Sequence, residues 1–284
     1  MLEATVKKIL QARVYEAACE TPITPAPFLS RRFNNQILIK REDLQPVFSF
    51  KIRGAYNKMA QLTQAQKDKG VIAASAGNHA QGLAMAAKLM GVKAVIVMPR
   101  ITPDIKVQAV RARGAKVILK GDAFAAAAEH AQELIQEHGY TYIPPFDDID
   151  VVAGQGTIGV EILRQHAGRL DAIFVPVGGG GLIAGVAAYV KYLRPDIKVI
   201  GVEAEDSACL KAALEAGERV VLDQVGVFAE GVAVAQIGEV PFSLIQGLID
   251  EVITVNTDEM CAAVKDIFED TRAVAETSGA LSLA

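Results

Sequence analysis

Four consecutive glycines, Gly178–Gly181, form the segment of this sequence best suited to ligand binding. They separate a β-rich run, 172–177, from an apolar stretch, 182–193, which predicts a strand, a tight turn and a helix. Successive glycines let the backbone approach a ligand, and several amide N–H groups can then point at one anion. Four glycines exceed what a turn needs, so we expect a phosphate at this position.

The same turn also fits the motif that binds dinucleotides. Gly179, Gly181 and Ala184 have the spacing G-x-G-x-x-G/A. Glu203 follows at the end of the next predicted strand, about 20 residues on, where an acid that binds a ribose hydroxyl is expected. A nicotinamide-dependent dehydrogenase is therefore an open alternative at this point.

Lys51 is the second candidate for chemistry. It lies between Phe50 and Ile52, and apolar surroundings disfavour the charged form of an amine. A neutral amine can form a Schiff base with an aldehyde. A single lysine is more often a surface residue that extends its amine to solvent, so the assignment of Lys51 depends on the motifs around it.

The segment Ser75–His79 (Ser-Ala-Gly-Asn-His) follows a short predicted strand and opens a predicted helix. The backbone amides there, with the Ser75 hydroxyl, are suited to bind a carboxylate. The alternatives are an ordinary helix cap and a hydrolase nucleophile turn built on Ala73-x-Ser75-x-Gly77. The hydrolase is disfavoured because its catalytic histidine should follow a late strand, whereas the later histidines fall in predicted helices. The histidines also lack the spacing of metal ligands. These later histidines are His130, His138 and His166.

The elements that must position these residues alternate between strands and helices, which predicts an α/β fold with mostly parallel sheets. The predicted strands are 36–40, 71–74, 94–98, 116–119, 141–143, 172–177, 198–202 and 252–255. The predicted helices are 78–90, 103–113, 123–137, 156–166, 182–193 and 257–271.

The domain organisation follows from the compact run of strands and helices in the middle of the chain. We expect a small α/β domain, 66–147, inserted in a larger discontinuous domain, 1–65 and 148–284. The Pro144-Pro145 pair marks the return crossing, because proline restricts the residue before it to extended conformations. The uncharged stretch 172–190 is long enough for a membrane span, but Pro176 and the glycines argue against a continuous helix.

Composition narrows the classes of partner. The net charge is −4 and no run of basic residues occurs, so we expect neither a nucleic acid nor a membrane surface as partner. The three cysteines are far apart, which argues for a reducing compartment and against a disulfide framework. The first 19 residues carry no continuous apolar segment, so no secretory signal is predicted.

Several motifs occur in one register along the chain, and together they resemble the pyridoxal-phosphate-dependent threonine dehydratases (threonine ammonia-lyases), most closely the biosynthetic type. The main motifs are Lys40–Asp43, Ser49–Ala55, Ser75–Gly82 and Gly178–Leu182. Supporting motifs are Ala153–Thr157, Val202–Leu210 and Phe228–Gly231. The resemblance covers essentially the whole chain and implies the tryptophan-synthase β-like fold (fold type II), with two open, mostly parallel α/β domains.

The resemblance also implies roles for individual residues. Lys51 would carry the cofactor, pyridoxal 5′-phosphate, through its amine and would be the catalytic residue, with Phe50 beside it. Asn78 would donate a hydrogen bond to the 3′ oxygen of the cofactor. The amides that would hold the phosphate are those of Gly178, Gly179, Gly180, Gly181 and Leu182. The residues that would bind the substrate carboxylate are Ser75, Ala76, Gly77, Asn78 and His79.

Two positions differ from relatives that racemise serine. Those relatives have a second serine where this chain has Ala76, which argues for elimination rather than racemisation. They also bind a divalent cation through carboxylates that follow the strand ending at Glu203. Here the later position is Cys209, and a hard cation prefers oxygen ligands, so no metal site is expected.

The C-terminal end also differs from the family. Relatives continue past Glu276–Ala280 into a helix, a strand and a loop whose hydroxyl binds the pyridine nitrogen, whereas this chain ends at Ala284. The C-terminal part of the large domain and the isoleucine-sensing domain are therefore expected to be missing. We accordingly expect no inhibition by isoleucine, and an inactive cofactor-binding fragment is the alternative to an active enzyme.

The expected function is β-elimination from L-threonine, which yields 2-oxobutanoate and ammonia in the first step of isoleucine biosynthesis. L-Serine is the expected secondary substrate. We also expect a cytoplasmic homo-oligomer, either a dimer or a tetramer.

Overall fold

A computed structural model of the chain describes residues 1–284 and consists of alternating helices and strands. The helices are α1 (Leu2–Leu10), α2 (Pro27–Arg32), α3 (Lys51–Ala60), α4 (Gln64–Lys69), α5 (Asn78–Met90), α6 (Asp104–Arg111), α7 (Phe124–His138), α8 (Ile149–Gln165), α9 (Gly181–Leu193), α10 (Cys209–Ala216), α11 (Glu239–Ile245), α12 (Thr257–Thr271) and α13 (Thr277–Ala280). The strands are β1 (Ile23–Pro25), β2 (Leu38–Lys40), β3 (Val71–Ala74), β4 (Ala94–Met98), β5 (Lys116–Leu119), β6 (Thr141–Tyr142), β7 (Ala172–Pro176), β8 (Lys198–Ala204) and β9 (Glu251–Val255). The expected α/β class is confirmed.

The chain divides into two compact units. The first unit comprises 1–11, 20–41 and 146–284, and the second comprises 12–19 and 42–145. The second unit is larger than the inserted domain expected from the sequence, since it also includes 42–65. That segment contains α3, which packs on α5 and so groups with the second unit. The domain boundaries expected from the sequence stay a prediction.

The second unit is built on a parallel sheet with the strand order β5-β4-β3-β6. Alternate residues of β3 face opposite sides: Val71 and Ala73 pack with α3 and α5, whereas Ile72 and Ala74 pack with α7. Both faces are thus covered, which explains why these strands are continuous apolar runs. Because the strands are parallel, the turn after β3 lies at the carboxyl edge of the sheet, where ligands bind in such folds.

The first unit contains a parallel sheet, β7-β8-β9, and a short antiparallel pair, β1-β2. Helices α8 and α9 approach each other closely through glycines. A Cβ atom added at Gly185 would lie 2.5 Å from the carbonyl oxygen of Val152 and 2.6 Å from the amide nitrogen of Gly156. The glycines therefore set the distance between these two helices.

Most element boundaries agree with the sequence predictions, but α8 begins earlier than expected. The sequence predicts a helix over 156–166, whereas α8 begins at Ile149. The carboxylate of Asp148 accepts hydrogen bonds from the amides of Asp150 (2.8 Å) and Val151 (3.2 Å), which caps the helix there. This cap was not predicted from the sequence. None of the helices is long and apolar enough to cross a membrane.

A buried ion pair stabilises the first unit. The Nζ atom of Lys40 lies 2.6 Å from Oε2 of Glu161, whose side chain is fully buried, and it also donates to the carbonyl oxygen of Thr21 at 2.5 Å. Lys40 itself is only 12% exposed. Lys40 belongs to the first motif, and this contact gives that residue a structural role.

We predict that Lys40→Met lowers the free energy of unfolding by about 3 kcal/mol or more, because the buried carboxylate of Glu161 loses its ammonium partner. Urea unfolding measures this loss. Arg169→Met removes one member of the exposed pair Arg169–Asp171 and should change stability little. The double variant Lys40→Met/Glu161→Leu should recover part of the loss. Equal stability of the parent and Lys40→Met would contradict this account.

Candidate functional site

Lys51 is the first residue of α3. Its side chain is half-buried, and its Nζ atom lies 5.1 Å from the centroid of the Phe50 ring. The backbone amide of Lys51 lies 3.4 Å from the hydroxyl oxygen of Ser49, which is buried. The amine is therefore held at the start of a helix and against an aromatic ring.

A buried arginine fixes the segment that leads to Lys51. Arg53 is fully buried, and its Nε and Nη2 atoms each donate to a carboxylate oxygen of Glu42 at 2.8 Å. Gln45 donates to the Glu42 carboxylate at 3.1 Å and exchanges two hydrogen bonds of 2.8 Å with the backbone of Cys19. Planar, bidentate pairs of this kind hold both partners in one orientation. Glu42 and Arg53 thus tie the start of the segment that precedes α3 to the first turn of α3.

Helix α5 touches the backbone of α3 at Gly82. A Cβ atom added there would lie 3.1 Å from the amide nitrogen of Ile52 and 3.2 Å from the carbonyl carbon of Lys51. Only glycine permits this approach without movement of the backbone. Gly82 belongs to the motif Ser75–Gly82, but the sequence analysis gave it no separate role.

The turn Ser75–His79 connects β3 to α5. The amide of Ser75 donates to the carbonyl oxygen of Val97 at 3.1 Å, which continues the sheet by one residue. The amides of Ala76 and His79 donate to no acceptor of the chain. These two donors, at the start of a helix, can bind a carboxylate.

The imidazole of His79 is not available to a ligand at that turn. It is 4% exposed, and its Nε2 atom lies 2.8 Å from the carbonyl oxygen of Ile143. A carbonyl oxygen only accepts, so Nε2 carries the proton. Burial lowers the pKa of His79 to about 4, the bond to Ile143 opposes this shift, and the charge of Lys51 adds to it. The imidazole is therefore neutral at neutral pH, and only the amide of His79 can contribute to an anion site.

We predict that Gly82→Ala slows the capture of an aldehyde by Lys51, because the added methyl group pushes α5 away from the backbone of Lys51 and Ile52. Mass spectrometry after borohydride reduction measures the capture. Gly168→Ala is the matched control, since its Cβ atom would lie 3.6 Å from the nearest atom. Equal capture rates in the parent and Gly82→Ala would show that this contact does not position Lys51.

The first unit contributes the glycine turn between β7 and α9. Gly180 has φ +87°, a conformation that favours glycine. The amide groups of Gly178–Leu182 donate to no acceptor of the chain. Gly179, Gly180 and Gly181 are buried, so these donors are also withdrawn from solvent. Unpaired amides at the start of a helix suit a phosphate group.

Close packing behind the turn leaves no room for side chains. A Cβ atom added at Gly179 would lie 2.2 Å from the ring of Phe146, and one added at Gly178 would lie 2.9 Å from Cα of Val232. The turn therefore needs glycine at these positions for steric reasons.

Glu203 does not serve as the ribose acid of a dinucleotide site. It is fully buried, and its two carboxylate oxygens accept hydrogen bonds of 2.8 Å from the amides of Leu210 and Lys211. Burial raises the pKa of Glu203 to about 7, although the two amides oppose the shift. Both carboxylate oxygens of Glu203 are bonded to the start of α10. Glu203 is therefore not available to bind a ribose hydroxyl, which the dehydrogenase alternative requires.

The donor sets match the two ends of a phosphorylated aldehyde. The glycine turn offers a row of unpaired amides to a phosphate, and Lys51 offers an amine to an aldehyde. Pyridoxal phosphate carries both groups, so the residues present fit this cofactor. No group of three or more histidine, cysteine or acidic residues is arranged to hold a metal ion.

Within the second unit, the structure brings Lys51 and the turn Ser75–His79 together through the contact of α3 with α5. The glycine turn and Leu182 lie in the first unit. Sequence reasoning missed the structural roles of Glu42 and Arg53, although both belong to quoted motifs. The available signal was the presence of opposite charges close to Lys51, but their pairing depends on tertiary contacts.

Known proteins resemble this chain over nearly its full length. Residues 14–284 match the model of a family described as pyridoxal-phosphate dependent enzymes. The biosynthetic L-threonine dehydratase of Escherichia coli is 60% identical over 98% of this chain and 54% of the relative. This chain therefore spans about half the length of the curated relatives it matches.

Two solved structures extend the comparison. The processed form of threonine deaminase isoform 2 from Solanum lycopersicum is 50% identical, with a TM-score of 0.97 over 99% of this chain and 82% of the other. The serine racemase of Dictyostelium discoideum is 35% identical, with a TM-score of 0.90 over 98% of this chain and 90% of the other. The fold type expected from the sequence is thereby confirmed.

Proposed function

This chain belongs to the family of pyridoxal-phosphate-dependent enzymes, and on that basis we propose that it converts L-threonine to 2-oxobutanoate and ammonia. The reaction is the first step of isoleucine biosynthesis, and L-serine is the secondary substrate. Threonine is supported by the relatives, several of which are named biosynthetic threonine dehydratases. The observation that carries the cofactor assignment is the row of unpaired amides at Gly178–Leu182.

Residues of different kinds would hold the phosphate and the aldehyde of the cofactor. The amides of Gly178–Leu182 bind the phosphate through hydrogen bonds to its oxygens. Lys51 carries the cofactor through its amine, with the Phe50 ring beside it. Asn78, the first residue of α5, would donate a hydrogen bond to the 3′ oxygen.

Removal of the Cα proton is the difficult step, because the Cα–H of an amino acid is a very weak acid at neutral pH. Bound pyridoxal phosphate supplies a ring that spreads the negative charge left on Cα. Lys51 would be the base that takes the proton from Cα. Loss of the β-hydroxyl and hydrolysis of the resulting enamine then give 2-oxobutanoate and ammonia.

The substrate carboxylate is bound at the turn between β3 and α5. The amides of Ala76 and His79 have no acceptor in the chain, and Ser75 offers its hydroxyl nearby. The side chain of His79 is engaged with Ile143, so it supports the turn rather than the substrate. Fixing the carboxylate orients the Cα–H bond toward the base.

Two alternatives are weaker. An inactive cofactor-binding fragment is not favoured, because the amides of Ala76 and His79, which suit a substrate carboxylate, accompany the groups that suit the cofactor. A nicotinamide-dependent dehydrogenase lacks its ribose acid, since Glu203 is buried and bonded to backbone amides.

We also propose that the chain forms a cytoplasmic homo-oligomer, either a dimer or a tetramer. All three cysteines are free, which suits a reducing compartment. Ile101 and Ile105 lie near the start of α6 and are 72% and 79% exposed, and such neighbouring apolar side chains favour association. Light scattering coupled to gel filtration measures the mass in solution.

We predict that Lys51→Ala lowers the turnover of threonine by about 100-fold or more, because both the amine that carries the cofactor and the base are removed. Production of 2-oxobutanoate measures activity, and borohydride reduction followed by mass spectrometry measures covalent attachment of the cofactor. Lys88→Ala, on the exposed surface of α5, is the matched control. A Lys51→Ala variant with parental turnover and borohydride-stable cofactor would refute the assignment.

We also predict that serine is deaminated with little racemisation, because Ala76 offers no hydroxyl to return a proton to the opposite face of Cα. Chiral chromatography of serine incubated with the enzyme measures D-serine against pyruvate. The variant Ala76→Ser should form more D-serine than the parent. If the parent forms D-serine as fast as pyruvate, another residue must act as the second acid.

A further inference from the structure

A cysteine thiol lies directly behind the glycine turn. Cys209, the first residue of α10, is fully buried, and its Sγ atom donates to the carbonyl oxygen of Gly178 at 3.4 Å. The other two cysteines, Cys19 and Cys261, are exposed. Cys209 is thus the cysteine whose side chain contacts the turn, and the reaction proposed above gives it no role.

The contact matters because of the geometry of a peptide group. Every peptide bond in this chain is trans, so the carbonyl oxygen of one residue and the amide hydrogen of the next point in opposite directions. A donor that holds a carbonyl oxygen from behind therefore aims the following N–H forward. At this turn the N–H groups that point forward are the unpaired ones.

Three successive peptide groups of the turn are held in this way. The thiol of Cys209 holds the carbonyl of Gly178, which orients the N–H of Gly179. The amide of Gly238 donates to the carbonyl of Gly179 at 3.1 Å, and the amide of Ala184 donates to the carbonyl of Gly180 at 3.0 Å. Two of the three anchors are backbone groups, so Cys209 is the anchor that a substitution can remove.

The thiol is itself held in place and kept protonated. Glu203 accepts hydrogen bonds from the amides of Leu210 and Lys211. These bonds fix the first turn of α10 and with it the position of Cys209. Burial raises the pKa of Cys209 to about 12, and the neighbouring Glu203 carboxylate adds to this shift through its charge and as a second acceptor for the thiol. A thiol with that pKa remains a donor throughout the neutral range.

We propose that Cys209 is a positioning residue for phosphate binding, which holds the first peptide group of the glycine turn so that the N–H of Gly179 faces the phosphate. This inference rests on the proposed function, because it assumes that the turn binds the phosphate of the cofactor. The contact of Cys209 with the turn is to a carbonyl oxygen, so its effect is on the orientation of the turn.

A comparison of the affinities for pyridoxal phosphate and for pyridoxal isolates this effect, since the two compounds differ only in the phosphate. We expect Cys209→Ala to weaken binding of pyridoxal phosphate about two- to five-fold, as suits an S–H···O bond, and to leave binding of pyridoxal unchanged. Equilibrium titration of the cofactor-free full chain, followed by absorbance, measures both affinities. Cys209→Ser retains a donor and should recover most of the loss.

Two control variants define the expected range, one without effect and one that displaces the turn. Cys261→Ala, at an exposed cysteine, should change neither affinity. Gly179→Ala should weaken pyridoxal phosphate selectively, because its methyl group collides with Phe146 and displaces the turn itself. If Cys209→Ala is too unstable to purify, Cys209→Val provides the same comparison with an apolar side chain that fills more of the space.

Three outcomes would overturn the inference. Equal weakening of pyridoxal phosphate and pyridoxal would mean that Cys209 supports the unit generally, and no weakening of either would mean that the contact is dispensable. In both cases the proposed function stands, because the parent still binds pyridoxal phosphate more tightly than pyridoxal. A parent chain that binds both compounds equally would instead overturn the phosphate site and the proposed function together.

Discussion

Unpaired amide groups at Gly178–Leu182 are the constraint around which the first unit is arranged. A buried donor without a partner costs about 1–3 kcal/mol, so a row of them is unfavourable until an anion accepts their hydrogen bonds. The row persists because packing leaves it no alternative. The ring of Phe146 and the backbone at Val232 press against the glycines, and the carbonyl groups of the turn are held from behind. The first unit thus keeps these donors available to an anion.

The second unit positions its lysine by different means. Lys51 is placed by the backbone at the start of α3. The start of α3 is in turn set by the bidentate pair Glu42–Arg53 and by the contact of α5 at Gly82. A helix terminus held on two sides has little freedom to shift, whereas the side chain of the lysine keeps its flexible carbons. This combination suits an amine that must exchange between partners.

Two buried glutamates show how differently a carboxylate can be accommodated. Glu161 lies against the ammonium of Lys40, so its charge is compensated within the first unit. Glu203 accepts two backbone amides, which offset burial only in part, and its pKa is raised to about 7. The first arrangement ties β2 to α8, and the second fixes the start of α10 behind the glycine turn. From the sequence alone Glu161 has no assigned role, whereas Glu203 fits a ribose-binding acid, a role that its burial and its two amide partners exclude.

The sequence by itself determined β3, β4, β5, α5 and α12 to the residue, because apolar runs, caps and terminal glycines are local signals. It also identified Lys51 and the glycine turn as candidates, since lysine and glycine have chemistry that depends on residue type. Only the tertiary structure decided that His79 turns its imidazole to Ile143 and that Cys209 holds Gly178. Those outcomes depend on which atoms distant segments bring within hydrogen-bond range, and a sequence pattern records spacing along the chain but not distance across it.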